Sequence, residues 1–282
     1  MHAVAIAVTI MGGLGLLFGA VLAIAYRFLR VPEDPQVGLV ESMLPGSNCG
    51  ACGEPGCRSF AEKVVAGVHS PSRCTASSAQ TVGAIADALG VEAGEEVRRI
   101  ARLHCAGGRD KAAQIAEYEG YESCRAAALV GGGGKGCSWG CLGLGDCRKA
   151  CMFDAITMGF DDLPRVEPDR CTACGDCVTA CPRGLFEILP VTHNLVVQCS
   201  APLAGDSARA LCVVACDACG RCAQDAPPGL ITMEGHLPVV NYAAGGPASE
   251  EAILRCPTGA IQWVMRDQFP EQRRTAGQVL DA

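Results

Sequence analysis

Cysteines 171, 174, 177 and 181 stand at C-x2-C-x2-C-x3-C in the run "CTACGDCVTACP". Three thiolates within seven residues, plus a remote Cys-Pro, is the form in which a chain wraps an iron–sulfur cube, whereas zinc usually takes two separated pairs. In that pattern the fourth cysteine ligates the other of two clusters. The preceding run "CSWGCLGLGDC" supplies Cys137, Cys141 and Cys147. Crossing therefore gives the sets Cys137/Cys141/Cys147/Cys181 and Cys151/Cys171/Cys174/Cys177. The first run is stretched, and Met152 stands where proline usually follows.

From about residue 124 the chain repeats with a period of 75. Cys124, Cys137, Cys141, Cys147 and Cys181 recur as Cys199, Cys212, Cys216, Cys222 and Cys256, and "CMFDAITM" recurs as "APPGLITM". Ala226 replaces one ligand, and Gly246, Ser249 and Ala252 occupy the places of its three companions. All four ligands of one cluster are absent together, while Cys256, which serves the other, is kept. One cluster has been deleted, and Cys216, Cys219, Cys222 and Cys256 still make a complete set. Cys212, matched by the repeat to Cys137, competes with Cys219; spacing favours Cys219.

A separate group, Cys49, Cys52, Cys57 and Cys74, is spaced C-x2-C-x4-C-x16-C, which leaves structural zinc open beside a [4Fe–4S] cluster. Cys105, Cys124, Cys199 and Cys212 have no assigned partner and read as buried thiols, with a further cluster made from them as the alternative. The expected cofactors are four [4Fe–4S] clusters, or three if the shortened module is empty. No catalytic acid–base pair, nucleophile or nucleotide loop is visible; the glycine run before Lys135 fails the phosphate-loop pattern because Gly136 follows the lysine.

The elements that must hold these cysteines are small. The chain has 282 residues, 20 of them cysteine, and a net charge of −7 with no Lys/Arg run, which argues against nucleic acid and for a reducing compartment. Ala3 to Tyr26 are uncharged over 24 residues, long enough to span a bilayer, and lack the basic start of a secretory signal. Arg27 and Arg30 then place the soluble part in the cytoplasm, making this an inner-membrane protein. Phe60, Val64, Val65 and Val68 mark one helical face, and Val82, Ile85, Ala86 and Leu89, closed by Gly90, another. Residues 95–128 read as further helix, and Gly131–Gly134 as a flexible hinge. The expected fold class is α+β. Its parts are a transmembrane helix (1–29), a mostly helical 4Fe-4S domain (30–92), a helical linker with the glycine hinge (93–135), a two-cluster ferredoxin-like module (136–190) and a degenerate one-cluster module (191–282). The joints at 31–36 and 131–134 would let the cluster domains swing.

The amino-terminal span, "NCGACGEPGCRSFA" with Cys74, and "CTACGDCVTACP" in that order resemble the B subunit of the Rnf (or Rsx) complex, a membrane-bound ion-translocating ferredoxin:NAD oxidoreductase, from the amino terminus to about residue 263. The resemblance implies a subunit of a six-subunit membrane assembly. It would take electrons from soluble ferredoxin and relay them, while sodium ions or protons are moved by other subunits and substrate chemistry lies elsewhere. Readings of another class are a stand-alone, membrane-anchored redox sensor and an iron–sulfur subunit of a different anaerobic enzyme.

Overall fold

The computed structural model describes residues 2–29, 34–243 and 248–269. Helix α1 (His2–Leu29) is the one described helix long and apolar enough to cross a membrane, and none of its apolar window is buried. Residues 31–33 of the expected linker, and Arg30 before it, lie outside the described residues. The rest of it is not linker: Asp34 accepts a hydrogen bond from the Gln36 N–H at 2.9 Å and Pro35 takes the first helical position, so α2 (Pro35–Met43) starts there.

Helix α2 packs on α3 (Cys57–Val65) and α4 (Ala79–Leu89), burying Val37, Val40, Phe60, Ala61, Val64 and Ile85. Gly90 closes α4 at φ 65°, as expected. Val68 is exposed because α3 ends at Val65.

The expectation of helix over 95–128 is overturned. Residues 99–103 form strand β1 (Arg99–Leu103), and the only helix in that stretch is α5 (Cys124–Leu129). Further along come α6 (Asp146–Ala150), β2 (Ile156–Met158), β3 (Pro164–Val166), α7 (Asp176–Ala180) and β4 (Phe186–Pro190). Strand β1 pairs antiparallel with β4, Leu103 facing Phe186, and β2 pairs with β3. A cross-strand partner and a core that buries Ile100, Ala101 and Leu103 outweigh the local helix preference of "EEVRRIARL". Strand β1 thus pairs with a strand of the first module although it lies outside the expected bounds of 136–190.

The second module repeats the plan with β5 (Leu195–Val197), α8 (Gly205–Leu211), α9 (Arg221–Asp225), β6 (Ile231–Glu234), β7 (Leu237–Val240) and β8 (Ile261–Trp263). Strand β5 pairs with β8, Val197 facing Ile261, and β6 pairs with β7. The two modules are strapped together: buried Arg102 donates to the Arg266 carbonyl at 2.8 Å, the Leu103 N–H donates to Gln268 Oε1 at 2.9 Å, and Phe269 lies over the Arg165 guanidinium at 4.4 Å.

Gly131–Gly134, expected as a hinge, form a turn that is hydrogen-bonded to the segment at 113–116. The Gly134 carbonyl accepts from the Ile115 N–H at 2.8 Å, and a Cβ on Gly134 (φ 78°) would collide with the Ala116 carbonyl oxygen. Only glycine allows that approach.

Candidate metal centres

Four of the spaces enclosed by the soluble part are lined by four cysteines each and have similar sizes, about 300 to 410 Å³ including their mouths. Cys49, Cys52, Cys57 and Cys74 line the first, under Phe60. Asn48 caps α3 by accepting from the Cys57 N–H at 2.8 Å, and the Ser77 hydroxyl donates to Cys74 Sγ at 3.2 Å. Cys151, Cys171, Cys174 and Cys177 line the second, the crossed grouping expected from the sequence.

The third space departs from that expectation. It is lined by Cys124, Cys141, Cys147 and Cys181; Cys137, the expected ligand, is not there. Helix α5 delivers Cys124, its entry fixed by Asp146 Oδ2, which accepts from the Ser123 hydroxyl at 2.8 Å and the Arg125 N–H at 3.0 Å. The physical reason lies in the stretched run. Position 144 is Leu where the second module has Cys219, and at this space Cys124 of α5, not Cys137 of the run, stands beside Cys141 and Cys147.

Cys137 instead lines the fourth space with Cys105, Cys199 and Cys212. All four are at most 9 % exposed.

The second module gathers a further group. Buried Cys216 and Cys222 each pack beside Cys256, Cys219 is exposed, and Cys212, its competitor, sits with the fourth space instead. Where the deleted cluster would lie, Ala226, Ile231, the Tyr242 ring and buried Ala252 pack together, and the Tyr242 hydroxyl accepts from the Leu195 N–H at 2.7 Å. Gly246 lies outside the described residues.

The loops that present these thiols share a shape. In "CTAC" and "CDAC", Ala173 and Ala218 adopt φ 56° and 60°, and each is followed two residues on by a left-handed glycine. An L-residue there costs roughly 1–2 kcal/mol, and such turns aim successive backbone N–H groups inward, a cradle for negative charge.

Burial pushes the Cys147 and Cys177 thiols up to about 12 and Cys216 up to about 11, and neighbouring cysteines add to it. Thiols packed this way become thiolates when a metal supplies compensating charge. Among the described residues no group of three or more His, Cys, Asp or Glu side chains is placed to hold a single metal ion. Each of the four spaces is ringed by four thiols, a donor set that fits an iron–sulfur cluster.

The sites also adjoin one another. Cys147 of the third site and Cys177 of the second are buried in one core, the Cys141 N–H of the third donates to Cys105 Sγ of the fourth at 3.3 Å, and Cys199 of the fourth shares a core with Cys216 of the second module. The Thr75 hydroxyl donates to the Thr172 carbonyl, joining the first site to the second.

A family model described as "Putative Fe-S cluster" matches residues 44–76, and one described as "4Fe-4S binding domain" matches residues 163–186. The chain is 40 % identical over 261 residues, 93 % of this chain and 78 % of the relative, to the B subunit of the Na(+)-translocating ferredoxin:NAD(+) oxidoreductase complex of Acetobacterium woodii. It is 39 % identical over 267 residues, 94 % of each chain, to the B subunit of the proton-translocating ferredoxin:NAD(+) oxidoreductase complex of Clostridium ljungdahlii. To the B subunit of the ion-translocating oxidoreductase complex of Methanosarcina acetivorans it is 32 % identical over 255 residues, 90 % of this chain and 96 % of the relative.

Proposed function

Because the chain belongs to the family of B subunits of ion-translocating ferredoxin:NAD oxidoreductase complexes, and is an electron-transfer subunit of that kind, we propose that it accepts electrons from soluble ferredoxin and passes them toward the membrane subunits. In this reading those partners move Na+ or H+, α1 anchors the chain, and Arg27 at the end of the span keeps the soluble part on the cytoplasmic side.

Four ligand sets belong to this reading: Cys49/Cys52/Cys57/Cys74, Cys151/Cys171/Cys174/Cys177, Cys124/Cys141/Cys147/Cys181 and Cys216/Cys219/Cys222/Cys256. A [4Fe–4S] cluster, when bound, supplies one-electron transfer at a potential set by its surroundings. The chain's residues hold the thiolates apart, exclude water and aim donors at sulfur: the Ala155 N–H donates to Cys151 Sγ at 3.4 Å and the Leu185 N–H to Cys181 Sγ at 3.5 Å. Such donors stabilise the more negative, reduced state. The observation that carries the reading is adjacency: consecutive thiol-lined sites meet through neighbouring cysteines, which is the arrangement a relay needs and a sensor does not.

The test is the full chain purified in detergent without oxygen. Reduced ferredoxin should bleach its thiolate-to-iron absorption, and at least about 16 iron atoms with matching sulfide should be present, four for each cluster. A chain that carries iron but stays oxidised in the presence of reduced ferredoxin would sink the proposal.

A further inference from the structure

Cys105, Cys137, Cys199 and Cys212 are the cysteines that the four sets above leave over, and they come from four separate places in the chain. The fold brings them together by a symmetry that the sequence period hides. In β1, Leu103 faces Phe186, and in β5, Val197 faces Ile261; Phe186 and Ile261 each lie five residues after a Cys-Pro cysteine, Cys181 or Cys256. Beyond the strands the match continues. The His104 N–H donates to the Leu185 carbonyl at 2.8 Å and the Gln198 N–H to the Ala260 carbonyl at 2.7 Å. Cys105 and Cys199 follow directly, so they hold the same place in the two modules. Cys137 and Cys212 are likewise equivalent, being 75 residues apart.

Each module thus brings the same two cysteines to the junction. Backbone pairing closes it: the Ala113 N–H donates to the Leu211 carbonyl at 2.9 Å and the Gly136 N–H to the Ala113 carbonyl at 2.8 Å, which sets Cys212 and Cys137 on either side of one short extended segment. The resulting space, about 410 Å³ including its mouth, has an apolar wall of Ala112, Trp139, Ala201, Leu203 and Ala208.

We propose that Cys105, Cys137, Cys199 and Cys212 hold an additional [4Fe–4S] cluster at the junction of the two modules, linking the Cys124/Cys141/Cys147/Cys181 site to the Cys216/Cys219/Cys222/Cys256 site. Three observations besides the count of thiols point to it. The space, about 410 Å³, is comparable with the other three thiol-lined spaces, about 300 to 360 Å³. Gly107 has been kept clear of it, because a Cβ there would stand 2.8 Å from Cys212 Sγ. The Cys141 N–H donates to Cys105 Sγ at 3.3 Å, the kind of bond that a cluster thiolate accepts. Buried structural thiols alone would need neither the clearance nor four-fold convergence.

This deepens the relay reading and rests on it, since it makes the second module's cluster continuous with the first module's pair. The test is iron and acid-labile sulfide per full-length chain, with anaerobic alkylation of the intact protein read by mass spectrometry. About 20 iron atoms in the natural chain, falling to about 16 in both Cys199→Ala and Gly107→Ala, supports the junction cluster. About 16 in the natural chain, with Cys105, Cys137, Cys199 and Cys212 alkylated while the other cysteines are protected, overturns it and leaves the relay with four clusters. A natural chain without iron overturns both. Alkylation needs no variant, so a misfolded substitution does not spoil the result: protection of these four cysteines until chelation is the expected outcome.

Discussion

The Thr75 hydroxyl donates to the backbone carbonyl oxygen of Thr172 at 2.5 Å, although 97 residues separate them. Each is the next residue after a cysteine of a different site, Cys74 and Cys171. This bond holds the small helical domain against the first module beside both of those thiol-lined spaces.

Thr75→Val keeps the side-chain shape and removes the donor. A hydrogen bond of about 1 kcal/mol is worth roughly fivefold in the docked population. Iron content should stay unchanged, while electron exchange between the Cys49–Cys74 site and the first module slows by up to about fivefold in rapid-mixing reduction. An unaltered rate would show that the domains stay docked without it.

Lys135 is 8 % exposed, and its Nζ donates to the carbonyl oxygens of Gly107 and, at 2.6 Å, Cys141. The residue lines the junction space and lies beside the third site. A buried ammonium favours the extra electron of a reduced centre. Lys135→Met should therefore lower the midpoint potentials of those two centres by tens of millivolts, with about 59 mV corresponding to a tenfold shift in a one-electron equilibrium. Redox titration followed by electron paramagnetic resonance reads the effect, and distant centres should not move.

Cys124→Ala separates two ligand assignments. If Cys124 completes the set with Cys141, Cys147 and Cys181, the variant loses about four iron atoms per chain. If Cys137 completes that set, as the sequence spacing suggested, Cys124→Ala keeps all its iron.

Asp161 and Arg165 form an ion pair with 4 % exposure on each side chain, both carboxylate oxygens accepting at 2.7 Å. Removing one member leaves a buried charge and costs about 3–5 kcal/mol. Asp161→Ala should lower the thermal midpoint of the cluster-loaded protein by roughly 10 °C, given about 2–4 °C per kcal/mol for a chain of this size. A change within a few degrees would mean that water reaches the pair.

The sequence carried the chemistry further than it carried the fold. Local runs such as Cys171, Cys174 and Cys177 lie in one turn, so their spacing alone brings the thiols together, and the loss of Cys151's counterpart at Ala226 could be interpreted through ligand crossing. The strand at residues 99–103 was not legible, because its partner lies at 186–190 and its local pattern suits a helix. The glycine run at 131–134 looked flexible for the same reason: what fixes Gly134 is the segment at 113–116.

Short-range spacing and composition were thus enough to establish an iron–sulfur protein with an apolar amino-terminal helix and two related modules. Which remote cysteine lines each space is a property of the tertiary structure. A period of 75 pairs Cys199 with Cys124, but strand register pairs it with Cys105, because extra chain between Cys105 and Cys124 shifts the first module's count without moving its strands. Hydrogen-bonded register is a property of space, and a linear repeat with an insertion does not record it.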